Sequence, residues 1–412
     1  MILGSQVRYC VLSGAGLFLC TAIIIISSFE AFTVGSSDYL LAFNSRALFF
    51  SVVDLSVFFA FTQLFVISKF QLEKKVFYVV CMAFFLIFQS ALYGKVNRFP
   101  SLAFIGPEMR GMVIWALMYS AFSMWFKRNG GLLAFYQMVV WIGVLLILRA
   151  VYELVFVYPA NTLGDRLFFD GGNLMLTAVV AILFLSLALS YGRNTFLNFC
   201  FFLVFMFIVL NGGRRVAFLI MLGGGGYILL QKLYCLPSFY RHRVVTIIAL
   251  AIVFFICAIV FGSGAFLLIM DSASSLNPNG SDYEHLMDIL DGVRLIGESP
   301  IMGIGMGVEA PDRYLNRYGW DTPFHSPLIH TWVRLGIVGF LMYCWMIFYS
   351  LRETFTVRKA CLMSTTLLSS ALSLGTYLSV QLFFPPFYLD PKQSLIVAFL
   401  LAYVVNGSRR KC

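Results

Sequence analysis

Apolar runs of bilayer-spanning length recur from one end of the chain to the other, separated by short polar or charged segments. They fall at about 9–33, 48–68, 76–94, 112–126, 132–156, 173–191, 195–212, 216–231, 244–262, 328–350, 361–383 and 393–406. About 20 apolar residues at a rise of roughly 1.5 Å each match the hydrocarbon thickness of a bilayer. The pattern therefore predicts an all-α, polytopic membrane protein of about twelve helices, with the short fourth and twelfth extending into flanking sequence. Only the segment 263–327 is long enough and polar enough to fold outside the bilayer, and its stretch "SSLNPNGSDYEHL" opens an amphipathic helix running to Glu298. The chain thus divides into helices one to nine over 1–262, an outer loop with short helices over 263–327, and helices ten to twelve over 328–412. Together these make one membrane domain. The first run lacks a small-residue cleavage site, so it reads as a retained helix rather than a signal peptide.

Composition agrees with this reading: 60% of the residues are apolar and 12% charged, too few charges for a soluble chain of 412 residues. The net charge of +10 does not point to nucleic acid, because the basic residues sit in short clusters between apolar runs. With the N-terminus in the cytoplasm, the inner segments hold sixteen Lys and Arg against two acidic residues, Glu73 and Glu353. The loop 263–327 holds nine acidic residues and three basic ones. That is the positive-inside distribution, and it places both termini inside and the long loop outside. Nine cysteines are scattered singly with no Cys-x-x-Cys, which argues against a disulfide framework or a zinc site.

Against that topology, "NGGRRVAFLI" at 211–220 is anomalous: Arg214 and Arg215 lie on the outer side, where positive charge is disfavoured. Two readings stand. Two long side chains can snorkel to the headgroups at a tight hairpin. Alternatively, they form a fixed anion site, since the planar guanidinium fork suits phosphate. Further on, "ESPIMGIGMG" sets Pro300 before Gly303, Gly305 and Gly307, a turn that lets backbones approach closely. With no strand before it, the glycine pattern makes a poor nucleotide-binding loop.

These segments resemble the O-antigen polymerase and O-antigen ligase superfamily of bacterial glycosyltransferases, which use undecaprenyl-diphosphate-linked glycans. The resemblance rests on Pro300–Gly305, on "HSPLI" from His325, on "LGIVG" from Leu335 to Gly339, and on "GGRR" at 212–215. It departs from the family pattern at Ser326, where asparagine is usual. It also departs upstream of the proline, where the family's arginine lies nearer His285 than Arg294 does. Either Arg294 substitutes from a different turn or His285 does its work, and the permanent charge of Arg294 gives it the greater weight.

The resemblance implies a glycan moved from its lipid diphosphate to an acceptor hydroxyl, at the periplasmic face of the bacterial inner membrane, in lipopolysaccharide biosynthesis. The leaving diphosphate needs charge stabilisation where water is scarce. The outer face offers no compact carboxylate or histidine cluster for a metal, and no cofactor is expected. Arg214, Arg215 and Arg294 take that role. The acceptor hydroxyl needs a base, and of four histidines three lie outside. His325, at the junction of loop and helix, is the first choice. A histidine that merely caps or packs at a helix start is the alternative.

Other charges fall inside the apolar runs. His330 and Arg334 share a helix face at i,i+4, as site groups or, for Arg334, as half of a structural ion pair. Arg149 and Glu153 have the same spacing and can neutralise each other, with Arg149 also ranked as an outer phosphate contact. Asp54 is a further intramembrane charge, and "GGGG" at 223–226 allows a kink or close helix packing. Three functions compete: a polymerase of lipid-linked repeat units, a ligase passing finished glycan to lipid A-core, and a transporter. The third is disfavoured because no internal repeat is visible and the polar residues gather at the outer face rather than at the midplane. The polymerase reading carries with it a chain-length regulator protein as a partner.

Overall fold

The computed structural model describes residues 14–26, 52–69, 71–98, 102–129, 132–153, 155, 171–189, 195–211, 215–235, 281–306, 326–356, 370, 373–374 and 391–407. Among these the architecture is all-helical, without a strand. The helices are α1 (Ala15–Ile26), α2 (Val52–Ile67), α3 (Lys74–Arg98), α4 (Leu102–Arg128), α5 (Leu132–Tyr152), α6 (Gly171–Leu189), α7 (Thr195–Asn211), α8 (Arg215–Cys235), α9 (Ser281–Glu298), α10 (Pro327–Thr356) and α11 (Pro391–Gly407). By length and composition Val76–Val96, Leu133–Tyr152 and Pro327–Met346 suffice to cross a membrane. Ala15–Ile26, Val52–Ile67, Asn173–Leu189, Thr195–Leu210, Ala217–Leu229 and Pro391–Asn406 are shorter apolar helices. The fourth apolar run does extend into its flanks, giving a helix of 27 residues. The predicted ninth span and nearly all of the eleventh lie outside the described residues, so the number of spans is not fixed by them.

The bundle is organised around α4 and α6. Trp115, Tyr119, Phe122, Trp125 and Phe126 of α4 are all buried, and α11 lies along this face. Phe135 of α5 stacks on Phe399 and Tyr403 of α11 at centroid distances of 5.1 and 4.1 Å, which ties the three helices together. α6 is buried along its whole length between α7, α8, α11 and α5. The glycine run lets α8 approach it: a Cβ at Gly224 would come within 2.5 Å of the Ile182 side chain. The helix nevertheless continues unbroken through 223–226, so close packing rather than a kink is realised there. α3 instead turns Phe85, Phe88, Leu92 and Val96 outward, the surface expected of a helix facing lipid.

Polar contacts mark the two ends of the bundle. At one end Lys127 approaches Glu73 at 3.7 Å, and Arg128 donates to the Ile67 carbonyl at 2.7 Å. These are the segments that charge sorting predicts to share a side. At the other end α1 terminates, and its last carbonyls receive Arg149 of α5 at 3.0 Å and Asn173 of α6 at 3.5 Å. Side chains from neighbouring helices thereby satisfy the orphan carbonyls that every helix leaves at its C-terminus.

Candidate functional site

The site is built where α10 begins. Pro327 opens the helix, a position that suits proline because its missing N–H would be unpaired there anyway. Ser326 precedes it, a residue type favoured just before a helix, and its carbonyl accepts the first helical bond, from the His330 amide at 2.8 Å. This gives a local reason for serine at the position following His325.

Nine residues into α10 the helix breaks. Gly336 has φ 70° and ψ −168°, a region open in practice only to glycine. An unbroken helix would join the Ile337 amide to the Val333 carbonyl. Here the segment after α9 inserts between them and supplies a partner to each. Ile337 donates to the Ile301 carbonyl at 3.2 Å, and Val333 accepts from the Ile304 amide at 2.7 Å. The proline–glycine turn and the Leu-Gly element, read separately from the sequence, thus form one structural unit.

The fit leaves no room for side chains at three positions. A Cβ on Gly303 would lie 2.6 Å from the Val333 carbonyl oxygen, and one on Gly336 would meet the Ile301 carbonyl. A Cβ on Gly305 would fall 2.5 Å from the Cα of Gly94 in α3. Behind the turn, Leu295 of α9, Ile304 and Val333 form a small apolar cluster flanked by Ile296 and Ile329. Trp332 donates its indole N–H to the Pro300 carbonyl at 2.8 Å.

His330 and Arg334 are both buried, at 1% and 3% exposure, on one face of the first half of α10. Arg334 donates through Nη1 to the Gly305 carbonyl at 3.2 Å, while its own carbonyl accepts from the Ser90 hydroxyl at 2.6 Å. The guanidinium is therefore fixed against the glycine turn. A buried, oriented cation one helical turn from an imidazole can bind an anion and stand beside a proton transfer.

Four other predicted site residues belong to α9, α8 and α5. Arg294 lies on the exposed side of α9, next to the buried Leu295, and His285 lies earlier on the same helix. Arg215 is the first residue of α8. Arg214 and His325 fall outside the described residues. Arg149 is buried in the bundle, donating to Glu153 Oε1 at 2.6 Å and to the end of α1, with its guanidinium 5.5 Å from the centre of the Tyr152 ring. The bond to the Ile26 carbonyl ties α5 to the end of α1.

Four residues were missed by sequence reasoning. Arg110 of α4 pairs with Asp54 of α2 at 2.7 Å. Lys392, in the first turn of α11, is fully buried. Its charge directly before the apolar run at 393–406 was a signal available to the charge count. Ser90 and Gly94 carry no signal of their own, because a small residue in an apolar helix is ordinary. Among the described residues no group of three or more His, Cys, Asp or Glu stands together as a metal site.

No curated protein matches the chain. The family model described as O-antigen ligase matches residues 178–344, a segment that runs from α6 through the glycine turn and the break in α10. Over that segment the chain is similar to the O-antigen ligase family, which supports the O-antigen ligase and polymerase superfamily.

Proposed function

We propose that the chain is a polymerase of O-antigen type, joining undecaprenyl-diphosphate-linked repeat units at the periplasmic face of a bacterial inner membrane. The observation that carries this reading is the locking of the glycine turn into the break of α10, which fixes buried Arg334 and His330 beside the family's motif residues. In the reaction, an acceptor hydroxyl attacks the anomeric carbon of the donor glycan. The new glycosidic C–O bond forms as the bond from anomeric carbon to phosphate oxygen breaks, and the lipid diphosphate leaves with the bonding pair. His325 takes the hydroxyl proton as general base. Arg214, Arg215 and Arg294 hold the diphosphate, with His330 and Arg334 completing the site and His285 and Arg149 further out. Guanidinium groups supply the charge stabilisation that the leaving group demands without a metal. The positive end of α10 lies beside His325 in sequence and adds to the attraction for an anion.

The description of the matched family favours a second reading, a ligase that passes the lipid-linked glycan to lipid A-core. The two share donor and chemistry and differ in acceptor. A chain-length regulator belongs to the polymerase reading alone. Surface glycan resolved on a gel, from cells lacking the gene and cells carrying His325→Ala, separates them. A single repeat unit on the lipid core is the polymerase result. Complete loss of surface glycan with lipid-linked chains accumulating identifies a ligase. A normal ladder from well-expressed His325→Ala protein overturns the general-base assignment.

A further inference from the structure

We infer that Ser90 of α3 is a positioning residue for the transfer site, supplied from outside the family-matched segment. The inference rests on the glycosyl-transfer reading above. Ser90 is buried and bonds in two directions. Its hydroxyl donates to the Arg334 carbonyl at 2.6 Å across 244 residues of sequence, and its own carbonyl accepts from the Met306 amide at 3.4 Å. It therefore touches both parts of the unit, the broken helix and the glycine turn. One helical turn further on, Gly94 lies so close to Gly305 that a Cβ on Gly305 would fall 2.5 Å from the Gly94 Cα. Gln89 donates to Met302 Sδ at 3.2 Å and closes the contact.

The pattern of α3 explains why a polar residue sits at this point. Its inward stripe is Ala83, Leu86, Ile87, Ser90 and Gly94, apolar until it reaches the turn and small or polar from there on. In a low-dielectric setting a hydroxyl that reaches a backbone carbonyl on another helix fixes the two against each other, and the Ser90 hydroxyl does this at the Arg334 carbonyl. Any movement of Arg334 along the helix axis would break that bond, so Ser90 sets where the guanidinium is held. The serine touches no reacting atom in this account. It acts through Arg334 and through the turn.

The test uses the purified full-length protein in lipid nanodiscs, as wild type, Ser90→Ala and Ser90→Thr, with lipid-linked repeat units as substrate. Hydrogen–deuterium exchange is followed in parallel over peptides containing Ile304 and Ile337. Ser90→Ala is expected to lower kcat about tenfold with KM little changed, as for a group that orients rather than binds. It is also expected to speed exchange at Ile304 and Ile337 while the unfolding temperature stays close to wild type. Ser90→Thr keeps the hydroxyl and restores both readouts. Wild-type kcat with unchanged exchange in Ser90→Ala overturns the assignment, and so does a loss of activity that threonine fails to restore in folded protein. If wild type transfers no glycan, the glycosyl-transfer reading falls. The exchange data then still decide whether Ser90 holds the break.

Discussion

Two intramembrane carboxylates show how burial decides what an ion pair contributes. Glu153 and Arg149 are each 4% exposed and 2.6 Å apart, whereas Arg110 retains 31% exposure beside Asp54 at 2.7 Å. Similar distance does not mean equal energy, because Arg110 lies before the apolar run at 112–126, within reach of interfacial water that screens its pair, and the Arg149–Glu153 pair is enclosed by protein. Removing one partner of a buried pair leaves an uncompensated charge and costs about 3–5 kcal/mol. An exposed pair is worth about 1 kcal/mol or less. Glu153→Gln is therefore expected to lower the unfolding midpoint of the purified protein well beyond Asp54→Asn, measured by thermal or denaturant unfolding in one detergent. Equal losses would mean that the surroundings of Arg149 are wetter than its burial implies. The Arg149–Glu153 pair was legible in the sequence because i,i+4 spacing fixes adjacency within one helix. Arg110 was not, because its partner Asp54 belongs to another helix and nothing local joins the two. Arg334 poses the converse test. Its bond to Gly305 is made by Nη1 of a planar guanidinium, so Arg334→Lys keeps the charge but moves the donor and loses the planar group. Transfer by Arg334→Lys is expected to drop at least about tenfold, at a stability cost of roughly 1.5–3 kcal/mol for a charge-assisted bond. Wild-type transfer by that variant would show that charge alone is needed there.

At the scale of elements, the broken helix is the feature that the sequence half revealed. Leu335–Gly339 and Pro300–Gly305 stood out as separate short motifs, and each glycine signalled close approach without saying what approached. What approaches is the other motif, and that relation is long-range, invisible to any local periodicity. The amphipathic α9 was legible through its mix of charged and apolar residues. The break inside an apolar run was not, since hydropathy continues smoothly through Gly336. The energetic consequence is definite. At φ 70°, ψ −168°, with the Ile301 carbonyl where a Cβ would stand, Gly336→Ala meets both backbone strain and a backbone clash. Backbone strain of this kind costs about 1–3 kcal/mol, and no flexible side chain is present to yield. The expected result is protein in which the turn is expelled from α10, with faster proteolysis near Ile301 and lost transfer. Gly226→Ala, in the unbroken middle of α8 with nothing within 4 Å of the added Cβ, serves as the milder comparison. Equal behaviour of the two variants would remove the special status given to the break.

For the molecule as a whole, the question is which face of the membrane holds the unit formed by α3, the turn and α10. Charge sorting along the chain predicts an answer: the basic segments around 69–75, 127–128 and 232–243 inside, and the acidic loop 263–327 outside. The bundle is consistent with this at one end, where Glu73, Ile67, Lys127 and Arg128 meet. Along α3 the unit lies at the opposite end, since Ser90 and Gly94 follow some four to six turns after Lys74 at about 3.6 residues per turn. Single-copy reporter fusions test the assignment directly. Alkaline phosphatase, which folds only after export, is expected to be active when fused after Gly280 and inactive after Ser238. A cytoplasmic fluorescent protein is expected to behave in the opposite way. Phosphatase inactive at both positions would place an even number of spans between 238 and 280, and a reversed pattern would invert the chain in the membrane. Either result turns the proposed site toward the cytoplasm. The donor's diphosphate and the arginines assigned to it would then stand on the wrong side of the membrane for assembling a surface glycan. The positive-inside count and the catalytic proposal therefore stand or fall together on the span at about 244–262, and two fusions decide it.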